Sequence, residues 1–219
     1  MSKQLIVIGG GAAGFFCAVN VAKARPDLDV RILEKQSKVL QKVKVSGGGR
    51  CNVTNACFQP AELLKKYPRG KNFLKKAFSY FSTKDTIAWF QQRSVALITE
   101  PDGRMFPASH SSQTIIDCLL NEATAYGVHL NLNTEVVQVE KKADQFYISR
   151  KNVDVIIADY LVVASGGFPK SSQYEWLTSL GHTIEQPSPS LFTFNTPVSY
   201  THLRAHETGR NLVCRLLLE

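Results

Sequence analysis

Three glycines in the spacing Gly9-x-Gly11-x-x-Gly14 follow directly on the apolar run Gln4–Ile8, and Glu34 lies twenty residues beyond Gly14. These residue types at these distances suit the grip on a dinucleotide. Gly9 permits a tight turn off a strand, and Gly11 leaves backbone bare where a pyrophosphate must touch it. Gly14 lets the next helix pack close to the sheet. That helix begins at Ala12 and Ala13, whose free N–H groups and positive dipole end favour phosphate. Glu34, followed by Lys35, ends the second strand, where a carboxylate accepts both ribose hydroxyls. Its charge argues against a 2′-phosphate at the same place. A glycine turn that binds nothing would explain the loop alone, but not its agreement with the strand, the helix and the acid.

Two further segments carry glycine at the ends of elements. The apolar strand Tyr160–Ala164 runs into Ser165-Gly166-Gly167, which lets a second stretch of backbone approach the same ligand. Ser46–Asn55 (SGGGRCNVTN) holds a glycine triplet, which signals unusual backbone angles or a very close approach. Ser46, Gly49, Arg50, Cys51 and Asn52 are its candidate binding residues. Arg50 is suited to stabilise negative charge on a reduced flavin and Asn52 to reach ring carbonyls, although a rigid polar turn is the plainer alternative. Cys51 has no partner at C-x-x-C spacing and reads as a buried thiol. His110, His129 and His182 carry no catalytic signature, so no catalytic residue is assigned. The cysteines show no metal-ligand spacing, and no metal is expected.

The elements needed to position these residues are legible in outline. Gln4–Ile8 and Val30–Leu33 read as buried parallel strands around a helix over Ala12–Ala24, which Pro26 stops. Lys35–Val45 is basic and poorly periodic. Helices are expected over 61–67, 72–81, 83–93 and 111–126, with a hairpin around Pro101-Asp102-Gly103 and a strand over 128–132. A small antiparallel meander follows over 135–140, 145–150 and 153–158, then the strand into Ser165 and a helix over 174–180.

Composition is that of an ordinary globular chain, with 44% hydrophobic and 20% charged residues among 219. No apolar run approaches the roughly 18 residues that span a membrane, and the start lacks the pattern of a signal peptide, so a cytoplasmic protein is expected. The net charge is +8. Its lysines and arginines fall in runs over 35–44, 65–76 and 141–151, which reads as solvated surface; no nucleic acid is expected as a partner.

Residues 198–219 (VSYTHLRAHETGRNLVCRLLLE) resemble a transposase sequencing adapter translated in one frame. Val198–Glu207 would be its constant part, Thr208–Asn211 an index, and Leu212–Glu219 the resumed constant part. A genuine tail with a short helix over 212–218 is the alternative. On the adapter reading His202, His206 and Cys214 are not candidates, the charge becomes +7, and the natural protein is expected to continue beyond Pro197.

Taken together, IVIGGGAAGFFCA, SGGGRCNVTN, GRMFPASHSSQTIIDCLL and YLVVASGGFPKSSQYEWLTSLGHTI resemble the bacterial NAD(P)/FAD-dependent oxidoreductases of the aminoacetone-oxidase-like type. One branch of that family contains a bile-acid dehydro-steroid reductase. The resemblance runs from residue 3 to about 197, and SGGGRCNVTN is its most specific part. Ser165 stands where many members carry threonine.

The resemblance implies an α/β chain: the Rossmann-like FAD-binding domain of a two-dinucleotide-fold flavoprotein, C-terminally truncated. Residues 1–190 would form an incomplete FAD domain, 191–197 the start of a missing substrate domain, and 198–219 the non-native tail. FAD would contact Gly9, Gly11, Gly14, Glu34, the Ser46–Asn52 loop, backbone near Val136, and Ala164 to Gly167. NAD(P)H would reduce the flavin, which would pass hydride to an unsaturated or carbonyl-conjugated small molecule. An NAD-dependent dehydrogenase is the second reading. A flavoprotein that modifies or binds RNA is the third, and it requires a contiguous basic face interleaved with aromatics.

Overall fold

The computed structural model describes residues 2–67 and 70–187; the expected domain start at 191–197 and the adapter-like tail lie outside them. Two compact units divide the chain after Gly166.

In the first unit β1 (Gln4–Ile8) and β2 (Asp29–Leu33) flank α1 (Ala12–Ala24) in sequence. They pair in parallel, Leu5 opposite Val30 and Ile8 opposite Leu33. Next come α2 (Gln41–Gly49), β3 (Thr54–Asn55), α3 (Pro60–Lys65), α4 (Lys71–Tyr80) and α5 (Thr83–Gln91). The chain then forms β4 (Leu97–Thr99), β5 (Arg104–Pro107), α6 (Ser112–Ala125) and β6 (His129–Asn131). The meander β7 (Val136–Lys142), β8 (Gln145–Arg150) and β9 (Val153–Ala158) leads into β10 (Tyr160–Val163). The main sheet has the order β10-β1-β2-β6, all parallel, while β3-β5-β4 and β7-β8-β9 are separate antiparallel sheets.

Alternation along β1 explains its layers. Leu5 and Val7 join Phe15, Ala18, Val19 and Ala22 of α1, and Ile115 and Leu119 of α6, in one buried cluster. Ile6 and Ile8 therefore point to the other face and are equally buried. There β9 and β8 approach β1 and β10, and Val139, Ile148 and Ala158 turn their side chains inward. An apolar run with no polar alternation is what a strand covered on both faces requires.

Polar contacts fix the helices to one another. The Trp89 indole N–H donates to Asn20 Oδ1 at 2.9 Å, joining α5 to α1. Arg93 stacks 3.6 Å from the Trp89 ring centre and pairs with Glu122 of α6. Ser112 Oγ donates to the Lys44 carbonyl at 2.8 Å, which docks α6 on α2.

The second unit begins at Gly167. Phe168 meets the Tyr174 ring edge-on, and its N–H donates to the Tyr174 hydroxyl at 2.6 Å. Where one helix over 174–180 was expected, a 3₁₀ turn (Ser171–Tyr174) precedes the one-turn helix α7 (Glu175–Thr178). The Phe168–Tyr174 contact and the positive φ of 90° at Gly181 confine it.

Burial in the α1–α6 layer has a consequence at alkaline pH. The Cys118 thiol is pushed up to about 11 from 9.0 by burial. Its stabilising effect is complete below about pH 9 and lost as pH rises to about 11, because the unfolded thiol ionises first. The difference in thermal midpoint between the protein and Cys118→Ala should stay constant from neutral pH to about 9, then shrink toward about 11.

Candidate functional site

Parallel pairing sets the carboxyl ends of β10, β1, β2 and β6 along one edge, and the candidate residues lie there. β1 continues into the glycine loop, β2 into Glu34, β6 into Asn131–Thr134 and β10 into Ala164–Gly166. Backbone bonds hold the ends together. Gly9 N–H donates to the Leu33 carbonyl (2.9 Å), Glu34 N–H to Asn131 (2.9 Å) and Ala164 N–H to Ile8 (2.8 Å). The chain leaves β1 for β2 on one side, while β10 docks on the other. In such sheets that is the switch point where ligands bind.

Each loop glycine has its own reason. Gly9 has φ 111°, and a Cβ there would run into the Ala164 carbonyl oxygen. It is the close approach of β10, as much as the turn, that excludes a side chain. At Gly14 a Cβ would overlap the Gly9 carbonyl oxygen and come 3.4 Å from Val7, so the helix start is pressed first against the loop and then against the sheet. At Gly11 the space is open. Gly11 also caps α1 without a side-chain hydrogen bond, and Ala12 and Ala13 behind it are exposed. The first-turn N–H groups thus face open space, as an anion site at a helix N-terminus needs.

Glu34 is tied into this loop. One carboxylate oxygen accepts from Gly10 N–H and the other from Gln36 N–H, each at 2.8 Å. Each oxygen keeps a further lone pair for a ligand hydroxyl. Gly10, which the motif spacing passes over, is as constrained as its neighbours. A Cβ there would lie 2.8 Å from Val39 Cγ1 and 3.1 Å from Glu34 Oε2. The unbroken triplet Gly9–Gly11 was the signal for it. Lys35 is exposed beside Glu34. Thr134 N–H donates to the Glu34 carbonyl at 2.8 Å, which brings the chain two residues before Val136 to the same edge.

The Ser46–Asn52 segment is the broken end of α2. Ser46 is extended, and Gly47, Gly48 and Gly49 have φ of 57°, 67° and 83°. A Cβ at Gly47 would meet Phe106 Cε1 at 2.8 Å and Asn52 N at 2.9 Å, whereas Gly48 faces open space. Ser46 Oγ donates to the Val43 carbonyl, and Cys51 N–H to the Ser46 carbonyl. Burial pushes the Cys51 thiol up, so it is held protonated rather than as a reactive thiolate. Asn52 is exposed. Arg50 has a partner that sequence spacing did not reveal: it pairs with Glu100 and lies 4.1 Å from the Phe106 ring centre. A neighbouring carboxylate offsets the charge expected to face a ligand.

α2 also meets the end of β10. Lys42 Nζ lies 3.5 Å from where a Cβ of Gly166 would stand, and Gly166 has φ 75°. Lys42 is an exposed cation brought to this edge, with no motif to mark it. Ser165 lies between Ala164 and Gly166 in the first unit, while Gly167 opens the second, 3.9 Å (by a Cβ) from the Tyr174 hydroxyl. Among the described residues no three His, Cys, Asp or Glu side chains form a metal-binding group.

Residues 3–202 match the HI0933-like protein Rossmann domain family. The chain belongs to this family. Its members are FAD-binding oxidoreductases. The flavoprotein is 31% identical over 201 residues to a ribosomal RNA dihydrouridine synthase of Haemophilus influenzae, covering 88% of this chain and 49% of the relative. It is 28% identical over 196 residues to a 3-dehydro-bile acid delta(4,6)-reductase of Clostridium scindens, covering 86% and 46%. The chain thus spans about half the length of these relatives. Among solved structures, THI4 of Thermovibrio ammonificans shares the fold, with a TM-score of 0.50 at 12% identity, over 83% of this chain and 64% of that one. No helix among the described residues is long and apolar enough to cross a membrane.

The loop geometry separates two glycines. Gly14→Ala should destabilise the protein by about 1–3 kcal/mol through overpacking, whereas Gly11→Ala, entering open space, should leave the melting temperature of ligand-free protein nearly unchanged. Paired thermal melts check this.

Proposed function

We propose that this flavoprotein holds FAD across the ends of β10, β1 and β2 and reduces a carbon–carbon double bond conjugated to a carbonyl, with NAD(P)H as hydride source. The observation that carries the reading is the uncapped start of α1 opening onto free space at Gly11, with Glu34 bonded to the same loop. The pyrophosphate would lie on the N–H groups of Gly11, Ala12 and Ala13, and Glu34 would accept the ribose hydroxyls. Gly9 and Gly14 keep that cradle in shape, and Lys35 and backbone near Val136 would border the adenosine end. Ser46, Gly49, Arg50, Cys51 and Asn52 on one side, and Ala164, Ser165 and Gly166 on the other, would line the remainder. The bound flavin would supply the two-electron chemistry. Both relatives are named for adding hydrogen across double bonds, which supports this reaction type over an NAD-dependent dehydrogenase. We assign the same FAD domain to residues 1–190, and a cytoplasmic setting to the protein.

The purified full-length protein should show flavin absorption in the blue that NAD(P)H bleaches without air; a colourless protein would sink the reading. Glu34→Ala should weaken FAD affinity tenfold or more, on the order of one charge-assisted hydrogen bond, and Gly11→Ala should weaken it while keeping the fold. Equilibrium dialysis with FAD measures both, and unchanged affinity would remove these residues from the site.

A further inference from the structure

Arg50 is held more firmly than a surface arginine needs to be. It follows directly on α2, and its Nη1 donates to Oε1 of Glu100, the residue just after β4. Glu100 is itself fixed by the β4–β5 turn. Its N–H donates to the Arg104 carbonyl and its carbonyl accepts from Gly103 N–H, both at 2.8 Å. Its other carboxylate oxygen accepts from Arg104 Nη2 at 3.3 Å, and Asp102 holds Arg104 at 2.7 Å. Beneath the Arg50 guanidinium lies Phe106 of β5, fully buried, with its ring centre 4.1 Å away. The same ring excludes a side chain from Gly47, so the hairpin shapes the glycine triplet and seats the arginine beside it.

A guanidinium carries five N–H donors in a rigid plane. Glu100 takes one and the Gly47 carbonyl takes another through a long contact of 3.4 Å, which leaves three without a partner among the described residues. The side chain keeps 35% exposure, so those donors are available to a ligand. An ion pair this open to solvent adds little stability, whereas fixing one orientation of a long side chain in advance removes an entropic cost from binding. The arrangement suits aiming more than folding.

We propose that Glu100 is a positioning residue: with Phe106 beneath, it aims the free donors of Arg50 at the part of a bound flavin that gains negative charge on reduction. This rests on the FAD reading above and assigns the β4–β5 hairpin, which carries no cofactor motif, a part in tuning the cofactor. Arg50 then favours the anionic form that the ring takes after gaining two electrons and one proton. Glu100 offsets some of the charge that it aims, so the comparison that isolates aiming is between two variants that both lack the carboxylate. Glu100→Gln keeps a carbonyl oxygen for Arg50 Nη1. Glu100→Ala keeps neither charge nor acceptor, and Arg50 turns away into solvent.

The test reads the midpoint potential of the flavin in full-length, FAD-loaded protein, by dye equilibration during anaerobic chemical reduction, with thermal melts alongside. The alanine variant should lie below the glutamine variant by about tenfold in the two-electron equilibrium, about 30 mV. Glu100→Ser replaces the alanine variant if that one does not fold. In an Arg50→Met background the difference between the two should vanish. Equal potentials with Arg50 present would overturn the proposal, even if the melting temperatures differ, and so would a difference that survives Arg50→Met. Either of those results, obtained with flavin bound, leaves the FAD reading standing. Full-length protein that binds no flavin would overturn that reading and this proposal with it.

Discussion

Everything at the candidate site depends on backbone meeting backbone around Gly9. The end of β10 presses its Ala164 carbonyl where a side chain of Gly9 would be, and the Gly9 carbonyl occupies the same place for Gly14. Two stretches of chain far apart in sequence, the glycine loop with the start of α1 and the end of β10, can then share one small volume. Any Cβ at either position forces β10 or α1 away, and with it the open space at Gly11. Glu34 tightens the arrangement from the side, bonding Gly10 and Gln36 at once, so a group suited to a ligand also shapes the loop that presents it.

Much of this was legible in sequence because it rests on local rules. The bounds of α1 follow from its glycine start and the proline after its end, and the meander strands follow from alternation. What escaped depends on distant partners. Lys35–Val45 has no helical periodicity, yet α2 forms because Leu40, with φ 57°, donates its N–H to the Gly10 carbonyl, and because Ser112 holds the Lys44 carbonyl. β3 is two residues long and exists by pairing with β5. The Arg50–Glu100 pair joins residues fifty apart, and no spacing rule anticipates it.

The pairing of β1 with β10, Leu5 opposite Tyr160, also sets a timetable. During synthesis at about 5–20 residues per second, the glycine loop leaves the ribosome roughly 8–30 s before Ala164 arrives to close on it. Through that interval one edge of β1 has no strand beside it, and the apolar face behind Ile6 awaits the meander. The nascent chain is therefore most exposed to chaperones and to misassociation while its most recognisable motif is already complete.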